Sequence, residues 1–146
     1  IDRLLQDGAT VTLGGTTLTA RLTPGHTKGC TTWTMTIEED GESYDVVIVG
    51  SMGSNPSFQF VNNPDNPTIA DEFKQGFRVL RSLSPDVPLG SHPAMYGMAE
   101  KYERIGDGPN PFIDPDGYRE ELDAVEALFR EVLDRQEAEA AAAERR

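Results

Sequence analysis

A chain of 146 residues fits one domain by the usual range of about 100–200 residues per domain. The formal net charge of −12 argues against nucleic acid as a partner, because an acidic surface repels the phosphate backbone. No apolar run approaches the roughly 20 residues that a membrane-crossing helix needs, and the single cysteine, Cys30, excludes a disulfide within the chain.

Alternating hydrophobic residues predict β-strands in the first third of the chain. They alternate with polar residues at 11–13 and 18–22, on either side of Gly14-Gly15, which predicts a hairpin. Trp33, Met35 and Ile37 alternate with threonines and predict a strand with one buried face. The continuous apolar run at 46–49 predicts a central strand that is buried on both faces.

Helices dominate the rest of the chain. After a long polar segment that extends to Asn66, a helix is predicted to begin at Asn66-Pro67 with apolar residues on one face at 69, 73, 77, 80 and 83. A short strand follows at 87–89, then a weaker helix at 95–105. The final helix begins near Asp114-Pro115, and capping explains the carboxylates there.

The predicted order is β-β-β-β-α-β-α-α, which indicates an α/β domain in which helices cover a mixed sheet. We assign residues 1–135 to this domain. Residues 136–146 form an Ala/Glu-rich tail without an apolar face, and we expect this tail to be a fraying helix.

The chain has only two histidines, and each follows the end of a predicted strand. His26 lies in the loop TPGHTKGCTTW at 23–33, and His92 lies in Gly90-Ser91-His92-Pro93. Histidine is the commonest nitrogen ligand of zinc, and loops at strand ends gather such ligands. The alternative is that each is a loop histidine bonded to a local carbonyl. Two imidazoles alone would leave a zinc site incomplete.

Ser51 follows a third predicted strand and is expected at the same edge of the sheet. No Gly-x-Ser-x-Gly motif surrounds it, so a hydrogen bond to a water or ligand near a metal is favoured over a nucleophilic role. Cys30 lies between Gly29 and a strand, which favours a buried free thiol over a reactive one.

These motifs resemble the metallo-β-lactamase superfamily. The loop at 23–33, Gly50-Ser51, Gly90-Ser91-His92 and Phe112-Ile113-Asp114-Pro115 occur in the order and spacing of that family. Most members have an aspartate, or in one subclass a cysteine, where this chain has Ser51. The serine is similar to the third subclass of class B, whose members bind two zinc ions.

The resemblance implies the fold and the role of each site residue. The implied fold is the C-terminal half of the αββα metallo-hydrolase sandwich. The implied activity of the whole enzyme is hydrolysis of the β-lactam amide, which confers antibiotic resistance. His26 would be a ligand of the first Zn²⁺ and His92 a ligand of the second. Ser51, Gly53 and Ser54 would bind water or substrate. Exported relatives imply a periplasmic location.

The family's His-x-His-x-Asp-His motif is absent from this chain. The resemblance therefore implies that the N-terminal half of the fold is a missing partner and that this chain is inactive alone. The chain begins at Ile1 without methionine or signal segment, and we expect processing or truncation to have removed the true start. Two alternatives remain open: another metallo-hydrolase acting on a cyclic ester or amide, and a non-catalytic remnant or interaction domain.

Overall fold

A computed structural model describes residues 4–145 of the chain as one five-stranded sheet with helices packed on it. In chain order the elements are β1 (Thr10–Leu13), β2 (Thr16–Leu22), β3 (Thr31–Glu39), β4 (Glu42–Val49), α1 (Ile69–Arg81), β5 (Val87–Gly90), a 3₁₀ turn (Pro93–Tyr96), α2 (Met98–Glu103) and α3 (Pro115–Glu144). The predicted order of strands and helices is confirmed.

The strands lie in sequence order, β1-β2-β3-β4-β5. The first four are antiparallel neighbours, whereas β5 pairs in parallel with β4 after the crossover through α1. Asp40 and Gly41, both with positive φ, form the tight turn between β3 and β4. The sheet is therefore mixed, as the sequence predicted.

The hydrophobic core lies between one face of the sheet, called here the covered face, and helices α1 and α3. Val47 and Val49 of β4 contribute to it, together with a group of phenylalanines. Phe73 is at the centre of this group, with ring centroids 5.5 Å from Phe58, 5.2 Å from Phe60 and 5.4 Å from Phe129. Four of the five apolar positions predicted for this helix, at 69, 73, 77 and 80, are buried. The fifth, Leu83, lies beyond the end of α1 and is half-buried.

The opposite face, called here the open face, is also apolar. Register places five half-buried side chains on it: Leu18, Trp33, Met35, Ile37 and Ile48. Within residues 4–145, none of these five belongs to the core that the helices form. The prediction that Trp33, Met35 and Ile37 form a buried face was therefore wrong for these residues. The fully buried residue of β3 is Thr32, which lies on the covered face.

Asp114 makes two stabilising contacts at the start of α3, a helix cap and an ion pair. Its carboxylate accepts a hydrogen bond from the N–H of Gly117 at 3.0 Å, which caps the helix as predicted. It also forms an ion pair with Lys101 of α2 at 2.7 Å. The hydrogen bond from Lys101 is the main reason that the pKa of Asp114 is below its ordinary value.

Three helix boundaries differ from the sequence prediction. The weaker helix predicted at 95–105 is a 3₁₀ turn at Pro93–Tyr96 followed by α2 at Met98–Glu103, because Gly97, with φ of 62°, interrupts the helical backbone. Helix α1 begins at Ile69, after Thr68, and not at Asn66-Pro67. Helix α3 is continuous to Glu144, so no break in structure marks the predicted boundary between residues 135 and 136. The separate tail remains a prediction, but Gln136 at its start contacts the packed domain. None of the helices in the described part of the chain is long and apolar enough to span a bilayer.

Candidate metal centre

The topology of the sheet brings three loops to one edge. β4 and β5 are parallel, so Ser51 and His92 follow their strands at the same end. β3 is antiparallel to β4 and begins at that end, so the loop before it, which carries His26, also lies there. The shared edge that the sequence predicted is present in the structure.

Close packing at its base fixes the loop that carries His26. Thr23, only 1% exposed, bonds through its hydroxyl to the hydroxyl of Thr32 at 2.9 Å, and its N–H donates to the carbonyl of Cys30 at 2.9 Å. Gly25 has φ of 142°, and a Cβ there would lie 2.9 Å from the ring of Phe73. Only glycine accommodates both constraints without strain.

Hydrogen bonds also join the two loops that follow β4 and β5. The Ser91 N–H donates to the carbonyl of Val49 at 3.0 Å, and the Ser91 hydroxyl donates to the carbonyl of Gly50. The carbonyl of His92 accepts from the N–H of Met95 at 3.0 Å, at the start of the 3₁₀ turn. The backbone of His92 is therefore anchored, while its imidazole stays exposed.

A cavity of about 340 Å³ lies between these loops. Every site residue predicted from the sequence lines it: His26, Ser51, Gly53, Ser54 and His92. The cavity is also lined by Glu121 of α3, a residue that sequence reasoning missed. Glu121 lies between the buried Tyr118 and the half-buried Val125 at helical spacing, which is the signal that could have identified it.

The surroundings of His26 favour one nitrogen as a ligand. Its Nδ1 lies 3.2 Å from the carbonyl oxygen of Gly53. A carbonyl only accepts hydrogen bonds, so in the neutral imidazole this contact favours the proton on Nδ1 and leaves the lone pair on Nε2. The bond from Nδ1 to a carbonyl is the one expected for an ordinary loop histidine. Among the described residues, Nε2 has no such partner, so it could bind a metal. Metal-binding histidines are commonly oriented in this way.

Ser54 has a polar group that no other described residue satisfies. The residue is 8% exposed, and its hydroxyl lacks a hydrogen-bond partner among residues 4–145. A buried hydroxyl without a partner costs free energy, so such groups are usually bonded to water or ligand. Its place in the cavity suits a bound water or a polar group of a substrate.

Cys30 lies beside the cavity but is only half-buried, so the expectation of a buried thiol was wrong in degree. Its Sγ donates a weak hydrogen bond to the carbonyl of Ser51 at 3.7 Å. The thiol therefore ties the loop before β3 to the loop after β4.

The described residues fit part of a zinc site. Histidine imidazoles are suitable ligands, but zinc in proteins is held by three or four side chains. Within residues 4–145, no group of three or more His, Cys, Asp and Glu side chains is placed to hold a metal. Zinc ligation by His26 and His92 stays a prediction, and two imidazoles would fill only part of such a ligand set.

Comparison with known proteins agrees with this geometry, although no family model matches the chain. The fold is that of the C-terminal half of the metallo-hydrolase sandwich. The chain is 45% identical to the FEZ-1 metallo-β-lactamase of Legionella gormanii, with a TM-score of 0.89 over 94% of this chain and 53% of that enzyme. The BJP-1 enzyme of Bradyrhizobium japonicum, of subclass B3, is 36% identical, with a TM-score of 0.85 over 96% and 53% of the two chains.

A third match is the class B3 di-zinc enzyme LRA-12 from an Alaskan soil metagenome, with 31% identity and a TM-score of 0.81. That match covers 90% of this chain and 50% of LRA-12. The resemblance to subclass B3 metallo-β-lactamases that the sequence motifs predicted is therefore confirmed. The chain spans about half the length of the enzymes that it matches.

Proposed function

We propose that this chain supplies one half of a zinc-dependent enzyme that hydrolyses the amide bond of β-lactam antibiotics and so confers resistance. The observation that carries the proposal is the meeting of His26, Ser51 and His92 in one cavity, within a fold similar to subclass B3 enzymes. By the same resemblance we propose that the whole protein acts in the periplasm.

His26, through Nε2, would hold the first zinc ion, and His92 would hold the second. Zinc supplies a hydroxide nucleophile near neutral pH and stabilises the negative charge that develops as the amide opens. The residues of this chain orient that chemistry. The carbonyl of Gly53 fixes the tautomer of His26, and the hydroxyls of Ser51 and Ser54 are available to bind water or a polar group of the substrate.

The remaining ligands would come from an N-terminal half that carries His-x-His-x-Asp-His. The open face supports this part of the proposal, because an apolar surface of this kind is stabilised when a second sheet packs on it. We therefore expect the 146-residue chain alone to bind zinc weakly and to show no measurable hydrolysis.

The test joins this chain to the first half of the FEZ-1 enzyme, the part that this chain does not match. We expect the joined protein to bind two zinc ions and to hydrolyse nitrocefin, a chromogenic β-lactam. His26→Ala and His92→Ala should each remove most of the activity. Thr27→Ala, an exposed change beside His26, is the matched control and should leave it unchanged.

Full activity in either histidine variant would overturn the ligand assignment. Chelator-sensitive turnover of nitrocefin by the 146-residue chain alone would overturn the claim that it is one half of the site. A folded joined protein without bound zinc would support the non-catalytic alternative. Zinc binding with hydrolysis of cyclic esters but not of β-lactams would support the other metallo-hydrolase.

A further inference from the structure

The segment that connects the candidate site to the core lacks regular secondary structure at residues 58–61, yet its backbone is well bonded. The partner is Gln136 of α3. Its side-chain oxygen accepts from the N–H groups of Phe60 at 2.7 Å and Val61 at 3.2 Å. Its side-chain nitrogen donates to the carbonyl of Phe58 at 2.6 Å. One amide group thus replaces the pairing that a neighbouring strand would give.

The same segment contacts the candidate metal ligand. The ring of Phe58 lies 5.8 Å from the imidazole of His26, centroid to centroid, with a 52° angle between the ring planes. Phe58 is also stacked on Phe60, at 5.8 Å, and Phe60 is 4% exposed in the core. Before this segment, the carbonyl of Gly53 bonds the Nδ1 of His26. The imidazole therefore has one contact with the segment, through Phe58, and one with Gly53 before it.

We infer that Gln136 is a positioning residue for His26. Its three hydrogen bonds fix the backbone of 58–61, which holds the ring of Phe58 against the imidazole and so keeps the imidazole beside the Gly53 carbonyl. The inference rests on the proposed function only for the role of His26 as a metal ligand. The positioning itself depends on contacts within the described chain.

The experiment compares Gln136→Met with the unmodified 146-residue chain by NMR, without added metal. Methionine is similar in length but can neither accept the two N–H groups nor donate to the carbonyl. We expect the amides of Phe60 and Val61 to exchange with solvent about 10-fold faster or more, because one lost hydrogen bond weakens protection by roughly that factor. Gln75→Met, on the exposed surface of α1, is the matched control and should change neither rate.

The second readout is the imidazole of His26, which a purely structural role of Gln136 would not affect. In Gln136→Met we expect weaker contacts between the protons of Phe58 and His26. We also expect a smaller population of the tautomer protonated at Nδ1, seen in the nitrogen shifts of the ring. Unchanged exchange at Phe60 and Val61, or faster exchange with an unchanged imidazole, would overturn the inference.

Gln136→Glu keeps the test decisive if the methionine variant does not fold. Its carboxylate still accepts from Phe60 and Val61, so their amides should stay protected, while the carbonyl of Phe58 loses its donor. We expect a changed carbonyl ¹³C shift at Phe58 and an altered imidazole at His26. Absence of both changes would refute the inference. None of these readouts needs zinc, so the outcome is separate from that of the zinc and nitrocefin test.

Discussion

Replacing Asp114 by alanine removes two contacts at once, and the structure lets their contributions be separated. The first is the helix cap, where the carboxylate accepts from the N–H of Gly117 at 3.0 Å. Loss of such a cap costs about 1 kcal/mol. The second is the ion pair with Lys101 at 2.7 Å, in which the lysine side chain is 11% exposed and the aspartate 33%.

Breaking an ion pair buried from solvent costs several kcal/mol, because the remaining charge stays unpaired. Asp114 keeps a third of its surface in water, so screening reduces this contribution to about 1–2 kcal/mol. We expect Asp114→Ala to lower the free energy of unfolding by about 2–3 kcal/mol. Asparagine also caps helices, so Asp114→Asn should lose only the ion pair, about 1–2 kcal/mol.

The assay is urea unfolding followed by circular dichroism. The matched control is Asp116→Ala in the same helical turn, whose carboxylate is 85% exposed and pairs with Arg119 at 3.2 Å. An exposed pair of this kind contributes at most about 1 kcal/mol. The reasoning is refuted if Asp114→Ala costs no more than Asp116→Ala. Equal costs for the alanine and asparagine variants would show that the cap contributes nothing.

The remaining predictions concern pH, the core and the open face. The pKa of Asp114 is lowered in the folded state, so its ion pair stabilises the protein fully at pH values above the ordinary pKa of an aspartate, and this stabilisation is lost on acidification. The difference in free energy of unfolding between the unmodified chain and Asp114→Asn should therefore narrow below about pH 4, as measured by urea titrations at several pH values. Phe73→Ala should cost about 3–5 kcal/mol by the same unfolding assay, since the residue is 3% exposed, and a cost below that of an exposed change would contradict the packing. Tyr118→Phe should cost only about 0.5–1.5 kcal/mol, because the carbonyl of Leu80 that accepts its hydroxyl at 2.8 Å keeps a backbone partner. The chain alone should associate as its concentration rises, as measured by sedimentation, and Met35→Lys on the open face should reduce this association. Equal association of the unmodified chain and the variant would show that the open face is not the surface that associates.

The order of elements could be predicted because the signals are local. Alternation of apolar residues along β2 and β3, and a stripe at helical spacing along α1, are properties of short windows of sequence. The start of α3 was equally clear, since Asp114-Pro115 combines a capping side chain with a first-turn proline. Each of these signals predicted the type of element that the structure contains.

The face that a strand buries depends on what covers it, and that information is not local. Trp33 and Met35 are the larger apolar residues of β3, yet Thr32 is the residue that is fully buried. The helices pack on the face of Thr32, while Trp33 and Met35 lie on the open face. The alternation of apolar residues along β3 therefore predicted the wrong face.

The candidate site was partly predictable for a similar reason. His26, Ser51 and His92 each follow or precede a strand, so topology alone brings them to one edge. Glu121 and Gln136 reach the site or its supporting segment from α3, across separations of dozens of residues, such as 76 between Gln136 and Phe60. In sequence they resemble ordinary polar positions of an acidic helix. Only the packing of α3 on the sheet reveals their contacts.

The tight turn at Asp40 and Gly41 lies at the end of the sheet opposite the candidate site. The loops with His26, Ser51 and His92 lie where β3 begins, and the turn lies where β3 ends, eight residues further along the strand. At about 3.3 Å per residue, the two ends are roughly 25 Å apart. The turn is exposed and takes no part in the cavity. It is thus a convenient place to insert a peptide tag or to attach the chain to a solid support, leaving the histidine-bearing edge accessible to solutes.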